Sequence, residues 1–108
     1  MSDDWPTPDW LKKALRWDER FDPCPLQYKI DALTMDWPAG AVINPPFSKL
    51  AQFVEHGLKQ PRPQIWLVPA TPDRKWFQAL VYEGGEVAYF DHRIFKGSNF
   101  ASCLIFLT

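Results

Sequence analysis

Apolar positions along the chain fall into short runs separated by prolines and glycines, and each run has a readable period. "TPDWLKKALRW" predicts a helix: Thr7 suits the N-cap, Pro8 the first helical position and Asp9 the positive end of the dipole. Leu11, Ala14 and Leu15 form its apolar stripe. "RFDPC" predicts a short strand stopped by Pro23. "GAVINPP" predicts a second strand, apolar at Ala41, Val42 and Ile43 and so buried on both faces. "FSKLAQFVEHGLKQ" predicts a helix capped by Ser48, with Leu50, Phe53, Val54 and Leu58 on one face and Pro61 at its end. "QIWLVPA" is a third buried strand. "TPDRKWFQALVYEGG" repeats the helix-start signature at Thr71, Pro72 and Asp73 and closes on Gly84 and Gly85. "EVAYF" and "ASCLIFLT" predict a fourth and a fifth strand, with "DHRIFKGSN" as the loop between them.

Strands alternating with helices predict an α/β fold with a mostly parallel sheet of about five strands. The last two strands have no helix between them, so the final one is expected to run antiparallel. There is no internal repeat, linker or low-complexity stretch, and one domain over 1–108 is expected. Three successive strands are predicted to end in "DPC", "NPP" and "VPA". Ligands of open α/β sheets sit beyond the carboxyl ends of the strands, which is where these three motifs fall.

Composition narrows the class. The chain has 108 residues, 46% hydrophobic and 23% charged, ordinary for a globular domain and against disorder. Six Trp, eight Phe and eleven Pro point to short elements joined by rigid turns. No run approaches the ~20 apolar residues that span a bilayer. The N-terminal "MSDDWPTPDW" is acidic and lacks the basic and apolar regions of a signal peptide, so a cytoplasmic location is expected. Net charge is −1 and the pI near 6.1, without the basic surplus of a typical duplex-binding protein. Any basic surface is local, with Lys12, Lys13 and Arg16, or Arg74 and Lys75, as candidates. Cys24 and Cys103 are far apart and in no metal-ligand spacing, which favours two reduced buried thiols over a disulfide or metal site. His56 and His92 are isolated, and solvated or structural roles are expected for both.

The stretch "NPPF" carries the most chemistry. Two prolines directly after a β-branched run end the strand in a stiff turn that holds Asn44 and Phe47 in fixed directions. In sequence order, "TPDWL", "FDPC", "WPAGAVINPPFSK", "WLVPATPDRKWF" and "GSNFASCLIF" together resemble the phage-type DNA N6-adenine methyltransferase family, over nearly the whole chain from about Trp5 to Phe106. The tetrapeptide at 44–47 fits the Asp/Asn-Pro-Pro-Tyr/Phe signature of amino-methyltransferases, which also occurs in enzymes acting on RNA adenine or protein glutamine. The resemblance implies a minimal Rossmann-like methyltransferase sheet in a single truncated domain without a separate target-recognition domain. It also implies S-adenosylmethionine as cofactor, DNA as partner and, for a phage-encoded protein, the host cytoplasm as location.

The residue types suit that chemistry. The lone pair of an adenine N6 amine is delocalised into the ring, and two acceptors at its hydrogens stabilise the charge that develops during attack. Asn44 and the Pro45 carbonyl are the implied pair, Pro46 fixes the direction, and Phe47 offers a flat face to an extruded base. The plainer alternative for these four residues is a strand-ending turn with a buried Phe.

By resemblance, Trp5, Thr7 and Pro8 pack around the cofactor's methionine moiety, and Phe21, Asp22 and Pro23 line it. Asp22 is the implied partner of the ammonium group. Asp31 and Asp36 are candidates for the ribose hydroxyls and the adenine amine, against the alternative of solvated loop carboxylates. Trp37 is a core candidate. Ser48, Lys49, Arg74, Lys75 and Trp76, with Arg93, Lys96 and Asn99 on the opposite wall, are candidates for the nucleic acid, against a solvated helix face with Trp76 packed inward.

Two departures bear on these expectations. "DPCPLQYK" has no glycine where a glycine-rich loop ordinarily approaches the cofactor. Between Cys24 and Asp36 there is no room for the two further β-α units of a complete methyltransferase sheet. The first strand is then left as a bare edge beside a shortened pocket, and both features point to a homodimer. They also keep open a non-catalytic nucleic-acid-binding relative that has lost the cofactor.

Overall fold

The computed structural model describes residues 5–25 and 31–108. One open mixed sheet contains β1 (Ala41–Ile43), β2 (Gln64–Pro69), β3 (Glu86–Tyr89) and β4 (Ser102–Leu107) in the order β1-β2-β4-β3. β1 and β2 are parallel, with Val42 level with Ile65. β4 is antiparallel to both of its neighbours, so β1, β2 and β3 point one way and β4 returns between the last two. Connection type explains this arrangement. Parallel strands need a crossover, supplied by α2 (Leu50–Gly57) between β1 and β2 and by α3 (Lys75–Tyr82) between β2 and β3. No helix separates β3 from β4, and the final strand runs antiparallel as expected.

The sheet departs from the sequence-based expectation in two respects. Four strands are present among the described residues, and the sheet is mixed, with one parallel and two antiparallel pairs. "RFDPC" forms no strand. It touches β1 through one backbone bond, from Val42 N–H to the Phe21 carbonyl at 2.9 Å. Pro23 and Pro25 have no N–H to give a ladder, and between them the Cys24 N–H donates to Asp22 Oδ1 at 2.8 Å, which turns the chain away. The edge on this side is therefore β1, whose three residues are fully buried and not bare. The exposed edge is β3, where Glu86, Ala88 and Tyr89 face solvent.

Alternation along the strands divides the core between the two faces. Ala41, Ile43, Trp66, Val68, Cys103, Ile105 and Leu107 pack under Leu50, Phe53 and Val54 of α2 and Phe77 and Leu80 of α3. Val42, Leu67 and Leu104 pack under Leu11 of α1 (Asp9–Ala14), Trp17 and Phe95. The helix starts differ from expectation. Pro8, Lys49 and Arg74 occupy the three N-cap positions, and none of the helices has a side-chain cap. The Thr7 hydroxyl oxygen instead accepts from Asn44 Nδ2, a 3-10 turn (Phe47–Lys49) precedes α2, and a turn closed by Arg74 N–H on the Thr71 carbonyl precedes α3. The end of α3 is as predicted: Gly84 adopts φ +99°, and the Gly85 N–H reaches back to the Leu80 carbonyl at 2.9 Å.

At the amino ends of β1 and β2 the packing is dense and its polar groups are paired internally. Buried Gln64 accepts from Trp66 Nε1 at 2.9 Å and donates to the Gly57 carbonyl at 2.7 Å. Trp37, buried as expected, donates from Nε1 to the Ala32 carbonyl and from its backbone to Gln60 Oε1. His56 serves a structural role, with Nε2 2.7 Å from the Met35 carbonyl oxygen. A Cβ on Gly57 would lie 2.5 Å from Trp66 Cζ2, so only glycine lets α2 come this close. Gly57→Ala is expected to lower stability by about 1–3 kcal/mol, read as a reduced urea midpoint at unchanged slope.

Cys103 is a buried free thiol, and Cys24 is half-buried. Burial pushes the Cys103 thiol up from 9.0 to about 12. The native state thus keeps a proton that the unfolded chain releases near its ordinary value. The stability tied to this proton is full below about pH 9 and is lost as pH rises toward about 12. Cys103→Ala removes that dependence. The stability gap between wild type and variant is expected to narrow between about pH 8 and about pH 11 in paired urea titrations; a constant gap would refute it.

Candidate functional site

Because β1, β2 and β3 point the same way, their carboxyl ends bring Asn44, Ala70 and Phe90 to one end of the sheet, where β4 begins beside Pro69. The centre of this end is Asn44. Its Nδ2 donates to the Trp5 carbonyl at 2.6 Å and to Thr7 Oγ1 at 3.0 Å. A backbone carbonyl only accepts, so the amide must turn its nitrogen toward residues 5–7 and its Oδ1 the other way. The Trp5 carbonyl needs a donor at position 44, which Asn supplies and an ionised Asp would not. Pro45 is buried. Pro46 has φ −64° and ψ 139°, and its carbonyl accepts from the Lys49 N–H at 3.0 Å.

Phe47 is half-buried and meets Phe100 edge to face, at 5.0 Å between centroids and 70° between planes. Phe100 meets Trp5 in the same way at 5.3 Å, and Trp5 also packs on Phe95 at 5.8 Å. These rings fasten the N-terminal segment and the 90–101 loop across the strand ends. The four motif residues are therefore assembled with Trp5 and Thr7, which the sequence had placed in a different role.

The residues expected around S-adenosylmethionine are divided between the two ends of the sheet. Trp5 and Thr7 adjoin Asn44, and the Pro8 carbonyl accepts the N–H groups of Leu11 and Lys12 at the start of α1. Phe21 is half-buried against the core and Pro23 is buried. Asp22 accepts from Trp17 Nε1 at 3.0 Å with one carboxylate oxygen and from the Cys24 N–H with the other, so an ammonium group would have to share both. Asp31 and Asp36 are exposed and flank the 3-10 turn Ala32–Thr34, which packs on α2. Met35 bonds His56, Trp37 bonds Gln60 and Gly40 bonds Pro63, contacts that place this stretch at the amino ends of β1 and β2, away from Asn44. The residues present do not make a complete S-adenosylmethionine pocket at the Asn44 end, because the two carboxylates expected for its adenosyl part stand at the other. Residues 26–29 of the glycine-free stretch lie outside the described residues.

The expected nucleic-acid residues surround the same carboxyl end. Ser48 and Lys49 are exposed before α2, and Arg74 and Lys75 are exposed at the start of α3. Trp76 is half-buried, 5.8 Å from the Phe77 ring, so it packs inward. Arg93, Lys96 and Asn99 are exposed on the 90–101 loop, with Arg93 Nη1 3.4 Å from the Ser98 carbonyl. Asp73 and Asp91 stand among these cations. His92 bonds Asp91 at 2.6 Å and holds its carboxyl below the usual carboxylate range, first by that hydrogen bond and then by charge.

Sequence reasoning missed Trp10, which is 51% exposed and packs on Phe90 and His92. The available signal was that Trp10 falls off the Leu11–Leu15 stripe of its helix. Among the described residues, no group of three or more His, Cys, Asp or Glu side chains is placed to hold a metal ion, and no helix is long and apolar enough to cross a membrane.

Fold and site together define an α/β protein with a four-stranded, partly parallel open sheet and a polar turn at the carboxyl end of its first strand. No family model, curated protein or solved structure matches the chain. The geometry predicts a specific intolerance at its centre. In Asn44→Asp a carboxylate oxygen would face the Trp5 carbonyl where an N–H now donates. Loss of about 1–3 kcal/mol is expected in urea unfolding, and an unchanged midpoint would show that this tie does not hold the segment.

Proposed function

We propose that the protein is a minimal S-adenosylmethionine-dependent methyltransferase acting on the N6 amine of adenine in DNA, with relaxed sequence specificity, of the phage or mobile-element type that its motifs resemble. The observation that carries the reading is the locked amide of Asn44. With Nδ2 committed to Trp5 and Thr7, Oδ1 is left as an acceptor of fixed direction at the end of β1. Paired with the Pro45 carbonyl, it accepts the two amine hydrogens of a flipped adenine and holds the nitrogen toward tetrahedral geometry as positive charge develops there. Proline contributes no competing N–H at this point. Phe47, steadied by Phe100, gives the base a face to stack on, a contact of roughly 1–3 kcal/mol. Arg74, Lys75, Arg93 and Lys96 supply a local basic surface for the strand, in a chain whose net charge is −1.

S-adenosylmethionine supplies the methyl group. The division of its expected ligands between the two sheet ends supports a homodimer in which a second copy completes the cofactor site of a single-domain chain. A second reading is favoured by the same division and by the internal partners of Asp22: a relative that grips adenine in nucleic acid without binding the methyl donor.

The test is transfer of a tritiated methyl group from S-adenosylmethionine to single- and double-stranded DNA, RNA, a glutamine-containing protein and adenine-free DNA, with wild type and Asn44→Ala side by side. Label is expected in adenine-containing DNA only, with a loss of at least about a hundredfold in the variant. Label in RNA or protein instead would move the substrate. No label anywhere, with adenine-dependent binding retained, would establish the binder.

A further inference from the structure

We propose that the substrate is a single strand and that Trp10 forms a second base-stacking site beside the Asn44 turn; the proposal rests on the adenine reading given above. Trp10 is exposed on the first turn of α1, yet its indole is not loose. Phe90 meets it edge to face at 5.9 Å and 88°, and the His92 ring lies 6.5 Å away at a 33° tilt. Both come from the segment that follows the carboxyl end of β3, so this shelf and Asn44 lie at the same end of the sheet. The ends of β1 and β3, which carry Asn44 and the Phe90 that braces Trp10, are three strand spacings apart in the sheet, about 14 Å. At a stacked rise of about 3.4 Å that is about four nucleotides.

Charge favours a nucleic-acid strand as the occupant. Exposed Arg74, Lys75, Arg93 and Lys96 stand at this end against Asp9, Asp73 and Asp91, and Asp91 is already tied to His92. An exposed, braced indole with cations at the same end of the sheet suits a single strand, because every base has a π-face to offer it. Bases inside a duplex are stacked on one another and have no free face, so a strand lying on Trp10 is unpaired at that position.

The experiment is fluorescence anisotropy at fixed salt with dye-labelled adenine-containing single strands of about three and about twelve nucleotides. Wild type, Trp10→Ala, Trp10→Phe and Asn44→Ala are compared, and each long strand is repeated with a purine lacking the exocyclic amine. Trp10→Ala is expected to weaken binding of the long strand about tenfold, with Trp10→Phe close to wild type and the short strand unaffected. Equal affinity of Trp10→Ala and wild type for the long strand overturns the shelf. So does an equal loss on both lengths. If Asn44→Ala still abolishes the preference for adenine over the amine-free purine in those cases, the amine-gripping turn stands without the shelf. Failure of wild type to bind any strand removes both.

Discussion

Two hydrogen bonds from one side-chain amide connect parts of the chain that are 39 and 37 residues apart: Asn44 Nδ2 to the Trp5 carbonyl and to Thr7 Oγ1. Most of what lies at the carboxyl end of the sheet depends on them. β1 is three residues long, and Asn44 after it is followed by two prolines, neither of which can donate to a neighbouring strand. The Asn44 amide ties this end to the N-terminal segment. Once Trp5 is anchored, its ring closes on Phe95 and Phe100, and Phe100 closes on Phe47. A local shortage of backbone donors is thus met by a long-range side-chain bond, and that bond determines which way the remaining oxygen of the amide points.

The two ends of the sheet treat their polar groups in opposite ways. At the amino ends, Gln64, Trp66, Trp37 and Gln60 satisfy one another inside close packing, and the approach of Gly57 to Trp66 leaves no room for a methyl group. Buried polar groups paired in this way stiffen a core and recognise nothing. At the carboxyl ends the side chains are cationic, aromatic or amide-bearing, and many are exposed. The amino end holds the strands in register so that the other end can present groups outward, which is the general arrangement of ligand sites in open α/β sheets.

The α/β class, the reversal of the final strand, the close of α3 on Gly84 and the buried faces of β1 and β2 were all legible in apolar runs and turn residues. What the sequence hid were choices between competing partners. Thr7 looks like a helix cap, but its hydroxyl is taken by Asn44, a contact no local pattern announces. "RFDPC" carries a strand's apolar start, yet Pro23 and Pro25 remove its donors and Asp22 bends it onto Cys24. A glutamine heading the otherwise apolar "QIWLVP" was a visible clue to a buried polar contact, but its partners at Gly57 and Trp66 emerge only when α2 folds over β2. Within the candidate site, residues 44–47 were legible because proline limits conformation so severely. The separation of Asp31 and Asp36 from Asn44 was not, since adjacency along the chain does not reveal which end of a sheet a loop returns to.

That separation has a consequence for how the proposed activity is built. The grip on the amine depends on Asn44, Trp5, Thr7 and the aromatic rings that join them. Of the carboxylates expected to hold the methyl donor, Asp22 follows Phe21, whose carbonyl accepts from Val42 N–H, and Asp31 and Asp36 flank the turn Ala32–Thr34 that packs on α2. Asp31 and Asp36 thus stand at the other end of the sheet from Asn44. Under the proposed function, recognition of adenine and transfer of a methyl group would then rest on groups at opposite ends of the sheet. A second copy completing the donor site would couple them again, and would do so only where the 21–37 segment of one chain reaches the Asn44 end of the other.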